Sequence, residues 1–232
     1  MDPNNKYSQM QQDQYDNQAN VWTTDYRDPV VGSFDSHNNW PDYDNYLFKG
    51  FDTSNKIALD FGCGPGRNIV KFSSLFKRID GADISDINLK NAKIWCQHNN
   101  VAVPLLFKNN GVDLSNICHE LYDIVFSTIC LQHICVHEIR FNLMKEFYRV
   151  LKPGGSVCLQ MGFGPGHPMT VGYYENYYDA PGTNSACDTR VDSTDELKND
   201  LESIGFHSFN FDLRPTGPGD SHDNWIFFRA TK

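Results

Sequence analysis

Apolar residues in this chain come in two spacings that alternate along it. Short apolar-rich runs at 57–59, 79–84, 101–107, 121–128 and 156–161 read as strands, that at 121–128 nearly continuous and so buried on both faces. Between them, apolar positions recur every three or four residues. Ile69, Val70, Phe72, Leu75 and Phe76 form one stripe, and Ile87, Leu89, Ala92, Trp95 and Cys96 a second over 86–98. Ile139, Leu143, Phe147, Val150 and Leu151 form a third, and Leu197, Leu201 and Ile204 a fourth. That spacing predicts helices with one buried face. The punctuation agrees. Ser193 with Glu196 is a capping box ahead of the fourth stripe, and Gly205 ends it. Lys152-Pro153-Gly154-Gly155 ends the third. Pro104 places 101–107 at a sheet edge. Residues 207–213 alternate as a strand, turn through Pro215, Gly217, Pro218 and Gly219, and meet a last strand at 224–231. Two strands joined so closely are antiparallel.

The N-terminal part breaks this rhythm. Residues 1–20 are rich in Asn, Gln and Asp and are expected as a disordered or mobile tail. Residues 21–55 carry aromatics, among them Trp22, Tyr26, Phe34, Trp40, Tyr43, Tyr46 and Phe48. They are expected to cap a site or to cover one sheet face. Tyr43, Tyr46 and Leu47 have helical spacing after Pro41. Arg27 is a candidate grip for a ligand carboxylate.

Composition narrows the classes. A formal net charge of −9 disfavours nucleic acid as a partner. Seven cysteines without a C-x-x-C pair are expected as buried or free thiols, which makes the cytoplasm the expected compartment. No basic-then-apolar leader opens the chain. No run of about 18 apolar residues predicts a membrane span.

The chemistry concentrates at Lys56–Asn68, KIALDFGCGPGRN. A strand ends in Asp60, glycines follow at 62, 64 and 66, and a helix begins. Glycine lets the chain turn through positive φ and lets a ligand lie against the main chain. Helix-start N–H groups then face that ligand. A dinucleotide turn reads G-x-G-x-x-G. Here the third glycine comes one residue early, and Asp60 would repel a diphosphate but attract an ammonium. A second acid, Asp83, ends the next strand 21 residues after Gly62. A carboxylate at that distance suits a ribose diol. An NAD-linked oxidoreductase is therefore the weaker alternative.

Asp60-Phe61-Gly62-Cys63-Gly64-Pro65-Gly66-Arg67, with Gly81-Ala82-Asp83-Ile84-Ser85 and Tyr148-to-Val157, resembles the class I S-adenosyl-L-methionine-dependent methyltransferases. The resemblance implies an α/β, Rossmann-like doubly wound sheet, mostly parallel and seven-stranded, with one antiparallel strand near the C-terminus. It places the methyltransferase domain at 56–232. It implies S-adenosyl-L-methionine as cofactor and S-adenosyl-L-homocysteine as product. The implied cofactor residues are Asp60, Phe61, Gly62, Cys63, Gly64, Gly66, Asn68, Asp83, Ile84, Asn110, Gly111, Ser127, Thr128 and Ile129. Asn110 stands where the family usually has an acid for the adenine.

After the fourth strand there is no D-P-P-Y or N-P-P-Y tetrad, no Pro-Cys pair, and no carboxylate cluster for a metal. His133 is the candidate general base, with a structural histidine as the competing role. Residues 162–191 form a long stretch without an element of their own, expected as a substrate lid. Its candidate residues, with Trp40 from the cap, are His167, Tyr173, Tyr174, Tyr177 and Asp188. A homodimer interface is the competing use of these tyrosines. The expected reaction moves a methyl group to an O or N atom of a small polar molecule, a sugar derivative being one candidate. A protein or nucleic-acid acceptor, or a module that binds the cofactor without catalysis, stays open.

Overall fold

The computed structural model describes residues 5–24, 43–165, 174, 188–217 and 222–232. Its strands are β1 (Ile57–Phe61), β2 (Arg78–Asp83), β3 (Leu106–Lys108), β4 (Tyr122–Ser127), β5 (Leu151–Phe163), β6 (Arg190–Val191), β7 (His207–Pro215) and β8 (Asn224–Thr231). They form one sheet in the order β3-β2-β1-β4-β5-β8-β7, with β6 also paired to β5. Strand β8 runs antiparallel to both β5 and β7 and is the reversed strand expected near the C-terminus. The sheet has eight strands rather than seven. The extra one, β6, pairs Gly162 with Arg190 and Phe163 with Val191, too short a run to show a pattern.

The helices are α1 (Lys6–Ala19), α2 (Tyr43–Leu47), α3 (Arg67–Lys71), α4 (Asp86–His98), α5 (His137–Val150) and α6 (Thr194–Ile204). Alternation along the strands sorts the core into two layers. Leu59, Val125, Leu159 and Phe228 pack with Leu143 and Phe147 of α5 and Leu197 and Leu201 of α6. Their strand neighbours Ala58, Phe126, Cys158 and Phe227 pack with Leu47 of α2, Ile69 of α3 and Leu89 of α4. Phe126 meets the edges of Phe48 and Phe72 at centroid distances of 5.3 and 6.0 Å. A sheet buried on both faces needs such continuous apolar strands.

Two boundaries differ from the sequence reading. Strand β3 keeps only its last residues, because Pro104 has no N–H to give the ladder. Helix α5 stops at Val150, and Leu151 already pairs with Tyr122, so Lys152–Gly155 forms an irregular stretch of β5 rather than a turn before it.

The larger correction lies at the start. The stretch expected as a tail contains α1, capped by Asn5, whose side chain accepts from the Ser8 N–H at 2.8 Å. The helix is docked as well as formed. The Ser85 hydroxyl donates to Asp16 at 2.5 Å, and the Asn91 amide donates to the Ala19 carbonyl at 3.0 Å. Trp22 sets its ring edge-on to Trp95 at 6.0 Å. Ser85 also caps α4 by accepting from the Asn88 N–H at 3.1 Å. A Ser85→Ala substitution is therefore expected to cost about 1 kcal/mol through the lost cap. It should also speed amide exchange in α1 more than in α5, read by hydrogen–deuterium exchange. Equal change in both helices would contradict the docking role. Among the described residues, no helix is long and apolar enough to cross a membrane.

Candidate active site

The carboxyl ends of β1, β2, β3 and β4 open into one cavity of about 430 Å³, and α1 forms its opposite wall. Ligands in open α/β sheets bind at this end.

The glycine turn after β1 is built against β2. Gly62 and Cys63 both donate to the Ala82 carbonyl, at 2.8 and 3.1 Å, and Gly64 donates to Asp83 Oδ2 at 2.8 Å. Gly62, Gly64 and Gly66 have φ of +72°, +51° and +84°. A Cβ on Gly62 would stand 2.3 Å from Cys130 Sγ. Thus the turn needs glycine for both conformation and space.

Asp83 is almost wholly buried, and burial raises its carboxyl above the ordinary range. The Ser85 and Gly64 N–H groups oppose that shift by donating to the charged form. Two carboxylate oxygens offer about four acceptor sites, so these bonds leave capacity for hydroxyls.

Asp60 differs from expectation. It is fully buried and does not line the cavity. It lies one residue behind the wall, because the strand alternation that exposes the turn turns its side chain inward. Burial holds its carboxyl well above the usual range, with the Arg67 guanidinium opposing. The Asn68 side chain, on the cavity wall, opposes that shift as well. Asp60 thus stands behind two residues of the wall, Arg67 and Asn68, that act on its carboxyl.

Of the other residues expected around the cofactor, Phe61, Gly62, Cys63, Gly64, Asn68, Asp83, Ile84, Gly111, Thr128 and Ile129 line the cavity. Gly66, Asn110 and Ser127 do not. Gly66 is the left-handed N-cap of α3, packed under Ala92. Asn110 spends its side-chain oxygen on the Val112 and Asp113 N–H groups, and Asn109 takes the wall position. Ser127 donates inward to the Phe61 carbonyl at 2.8 Å. Ile129, at φ +51°, holds its β-branched side chain in a strained conformation. Gln160 secures it by accepting the Ile129 N–H at 2.7 Å.

His133 lines the cavity from the turn Leu131–His133, and Asp188 lines it too. His133 Nδ1 is 3.9 Å from Asp188 Oδ1. Trp40, His167, Tyr173, Tyr177 and Arg27 lie outside the described residues. Tyr174 does not line the cavity. Its backbone pairs with Val136, donating to the Cys135 carbonyl and accepting from His137.

The sequence reading missed the α1 wall. Tyr7, Ser8, Gln11, Gln14, Tyr15 and Gln18 face the cavity at helical spacing. The Tyr7 hydroxyl accepts the Cys135 N–H at 2.8 Å and donates to the His133 carbonyl at 3.2 Å. Burial raises the Tyr7 and Tyr15 phenols, so both keep their protons as donors. Arg67 and Asn88 were missed as well, while Cys130 and Ile134, in the stretch after β4, line the cavity too. Burial pushes the Cys130 thiol up to about 12, which removes it as a thiolate nucleophile at neutral pH. Cys63, Cys96, Cys118, Cys130 and Cys158 are free, but Cys135 is disulfide-bonded, against the expectation of thiols throughout. Its partner lies outside the described residues. Spacing cannot reveal a pairing between distant cysteines.

Residues 59–159 match the family described as methyltransferase domain. No curated protein matches the chain significantly. Among solved structures, a phosphoethanolamine N-methyltransferase 2 of Haemonchus contortus in complex with S-adenosyl-L-methionine is 20% identical, with a TM-score of 0.64 over 88% of this chain. This chain spans only 55% of that one. A methyltransferase of Methanosarcina mazei is 19% identical with a TM-score of 0.57, covering 82% of this chain and 97% of that one. The YcgJ protein of Bacillus subtilis is 15% identical with a TM-score of 0.58, covering 78% and 93%. At these identities the likeness is one of fold. The matched stretch carries the glycine turn and both strand-end acids, in the strand order described above. Residues 59–159 therefore match a methyltransferase domain, and the strand order around them is the fold shared with these solved methyltransferases.

Proposed function

We propose that the protein binds S-adenosyl-L-methionine in this cavity and methylates an O or N atom of a small polar molecule. The observation that carries this reading is Asp83, set at the end of β2 beside a glycine turn that donates to it. In this reading Asp83 holds the ribose diol. Asn109 and Gly111 border the base, and Arg67 and buried Asp60 act on the charged amino-acid end. The cofactor supplies an electrophilic methyl group on a sulfonium. The chain's own task is alignment and the exclusion of water, for which the α1 wall is suited. His133 takes the acceptor's proton.

The named acceptor of the worm enzyme is phosphoethanolamine, which supports a small molecule as the class. Of the tyrosines expected in a substrate lid, Tyr173 and Tyr177 lie outside the described residues and Tyr174 does not line the cavity.

The test is thermal unfolding with three ligands side by side. S-adenosyl-L-methionine and S-adenosyl-L-homocysteine, each at about 100 times its dissociation constant, should stabilise the fold by about 2.7 kcal/mol. NAD should not. Protection by NAD alone would overturn the reading.

A further inference from the structure

We infer that the cavity wall at His133 and Asp188 is a subsite for an amine, with Asp188 as its carboxylate and His222 as the residue that positions Asp188. This rests on the methyl-transfer reading proposed above and names the acceptor class for it.

Asp188 presents about a quarter of its side chain, at 26% exposure, and lies on the cavity wall. Behind it stands His222, whose side chain is fully buried. His222 Nε2 lies 3.0 Å from Asp188 Oδ1. A buried imidazole is costly to place, and the fold makes deliberate room for this one. Its ring lies over Gly162 in β5, where a Cβ would come within 2.4 Å of the ring carbon Cε1. Glycine inside a strand loses stability relative to alanine, so its presence there has a local reason. Trp225 of β8 closes the other side at a centroid distance of 4.8 Å. The Thr216 hydroxyl fixes the backbone by donating to the His222 carbonyl at 2.5 Å. The carboxylate is therefore held by a ring that cannot swing away.

The front of Asp188 is fixed just as firmly. The next residue, Thr189, donates its N–H to the Gln132 carbonyl at 2.6 Å, tying this strand to the turn that carries His133. Gln132 Nε2, an amide donor, lies 3.5 Å from His133 Nε2. His133 Nδ1 is the ring atom that faces Asp188, at 3.9 Å. The two rings thus border one carboxylate, that of Asp188. Its field reaches Tyr15 on the opposite wall and helps keep that phenol protonated. A fixed carboxylate beside imidazole and an aromatic wall selects an ammonium group over a neutral hydroxyl or an anion, and the ammonium gives one proton to His133 before its nitrogen lone pair takes the methyl group.

The test uses tritium-labelled S-adenosyl-L-methionine, with a low-molecular-mass cell extract as the acceptor mixture. Half of the extract is first treated with N-acetoxysuccinimide, which blocks amines. Labelled product should fall at least tenfold in the blocked half. In the untreated half, Asp188→Asn should fall at least tenfold while its affinity for S-adenosyl-L-methionine, measured by calorimetry, stays within threefold of wild type. His222→Gln keeps an N–H near the position of Nε2 and should retain more than a third of the rate. His222→Phe fills the same space without a donor and should fall to the level of Asp188→Asn, with its melting temperature reported alongside. Equal labelling of the two halves, or none in either, overturns the amine subsite. A His222→Phe protein as active as His222→Gln overturns the positioning role. Loss of cofactor binding by the wild-type chain would instead strike the methyl-transfer reading itself.

Discussion

An Asp83→Asn protein is expected to bind S-adenosyl-L-methionine about 10- to 100-fold more weakly than the wild type, because a hydrogen bond to a charged group contributes about 1.5–3 kcal/mol. The carboxylate already accepts from Gly64, Ser85 and, at 3.4 Å, the Asn88 side-chain amide, and its remaining acceptor capacity is what is offered to a diol. Asparagine keeps one acceptor oxygen and turns the other position into a donor. If that donor faces Gly64, it meets an N–H, and the glycine turn loosens. If it faces the cavity, it meets hydroxyls that need an acceptor. Calorimetric titration of both proteins, with melting curves to show that the variant is folded, reads the difference. An unchanged affinity in a folded variant would remove Asp83 from the cofactor site.

The second large effect is expected at Gly62. Alanine there would carry a side chain at φ +72°, with its Cβ 2.3 Å from Cys130 Sγ. The left-handed conformation costs about 1–2 kcal/mol and the overpacking about 1–3 kcal/mol. In a domain of this size a loss of about 2–5 kcal/mol corresponds to a drop in melting temperature of roughly 4–20 °C. Removing the clash partner should separate the two costs. Gly62→Ala with Cys130→Gly should recover part of the loss and leave the conformational part in place. If the double variant melts no higher than Gly62→Ala alone, the contact with Cys130 is not what glycine at 62 avoids.

The parts of this molecule that were legible in the sequence are those where one face of an element meets apolar core. The stripe of Leu143 and Phe147 in α5, or the run through Phe126, states its environment directly. The glycine turn and Asp83 were legible because few residue types can satisfy their geometry. Helix α1 was not. Its inward positions repeat with helical spacing, but they are Tyr7, Gln11, Gln14, Tyr15 and Gln18, chosen to face a polar cavity rather than a core. A rule that searches for apolar stripes sees only a polar segment there. Asp60 was placed on the wrong side of the wall for a related reason. The residue type announces affinity for a cation, but one step of strand alternation decides whether it touches the ligand or stands behind the residue that does. His222 carried no signal at all, since its role depends on the slot that Gly162 leaves in a strand 60 positions earlier.

The helix that closes the cavity lies outside the stretch matched to the methyltransferase family, and its cavity-facing glutamines sit on no strand of the sheet. Exchange of those glutamines would change the wall that faces the cavity without altering any strand of the sheet. One wall of the cavity and the glycine turn opposite it are thus contributed by separate stretches of the chain, the first of them a single short helix.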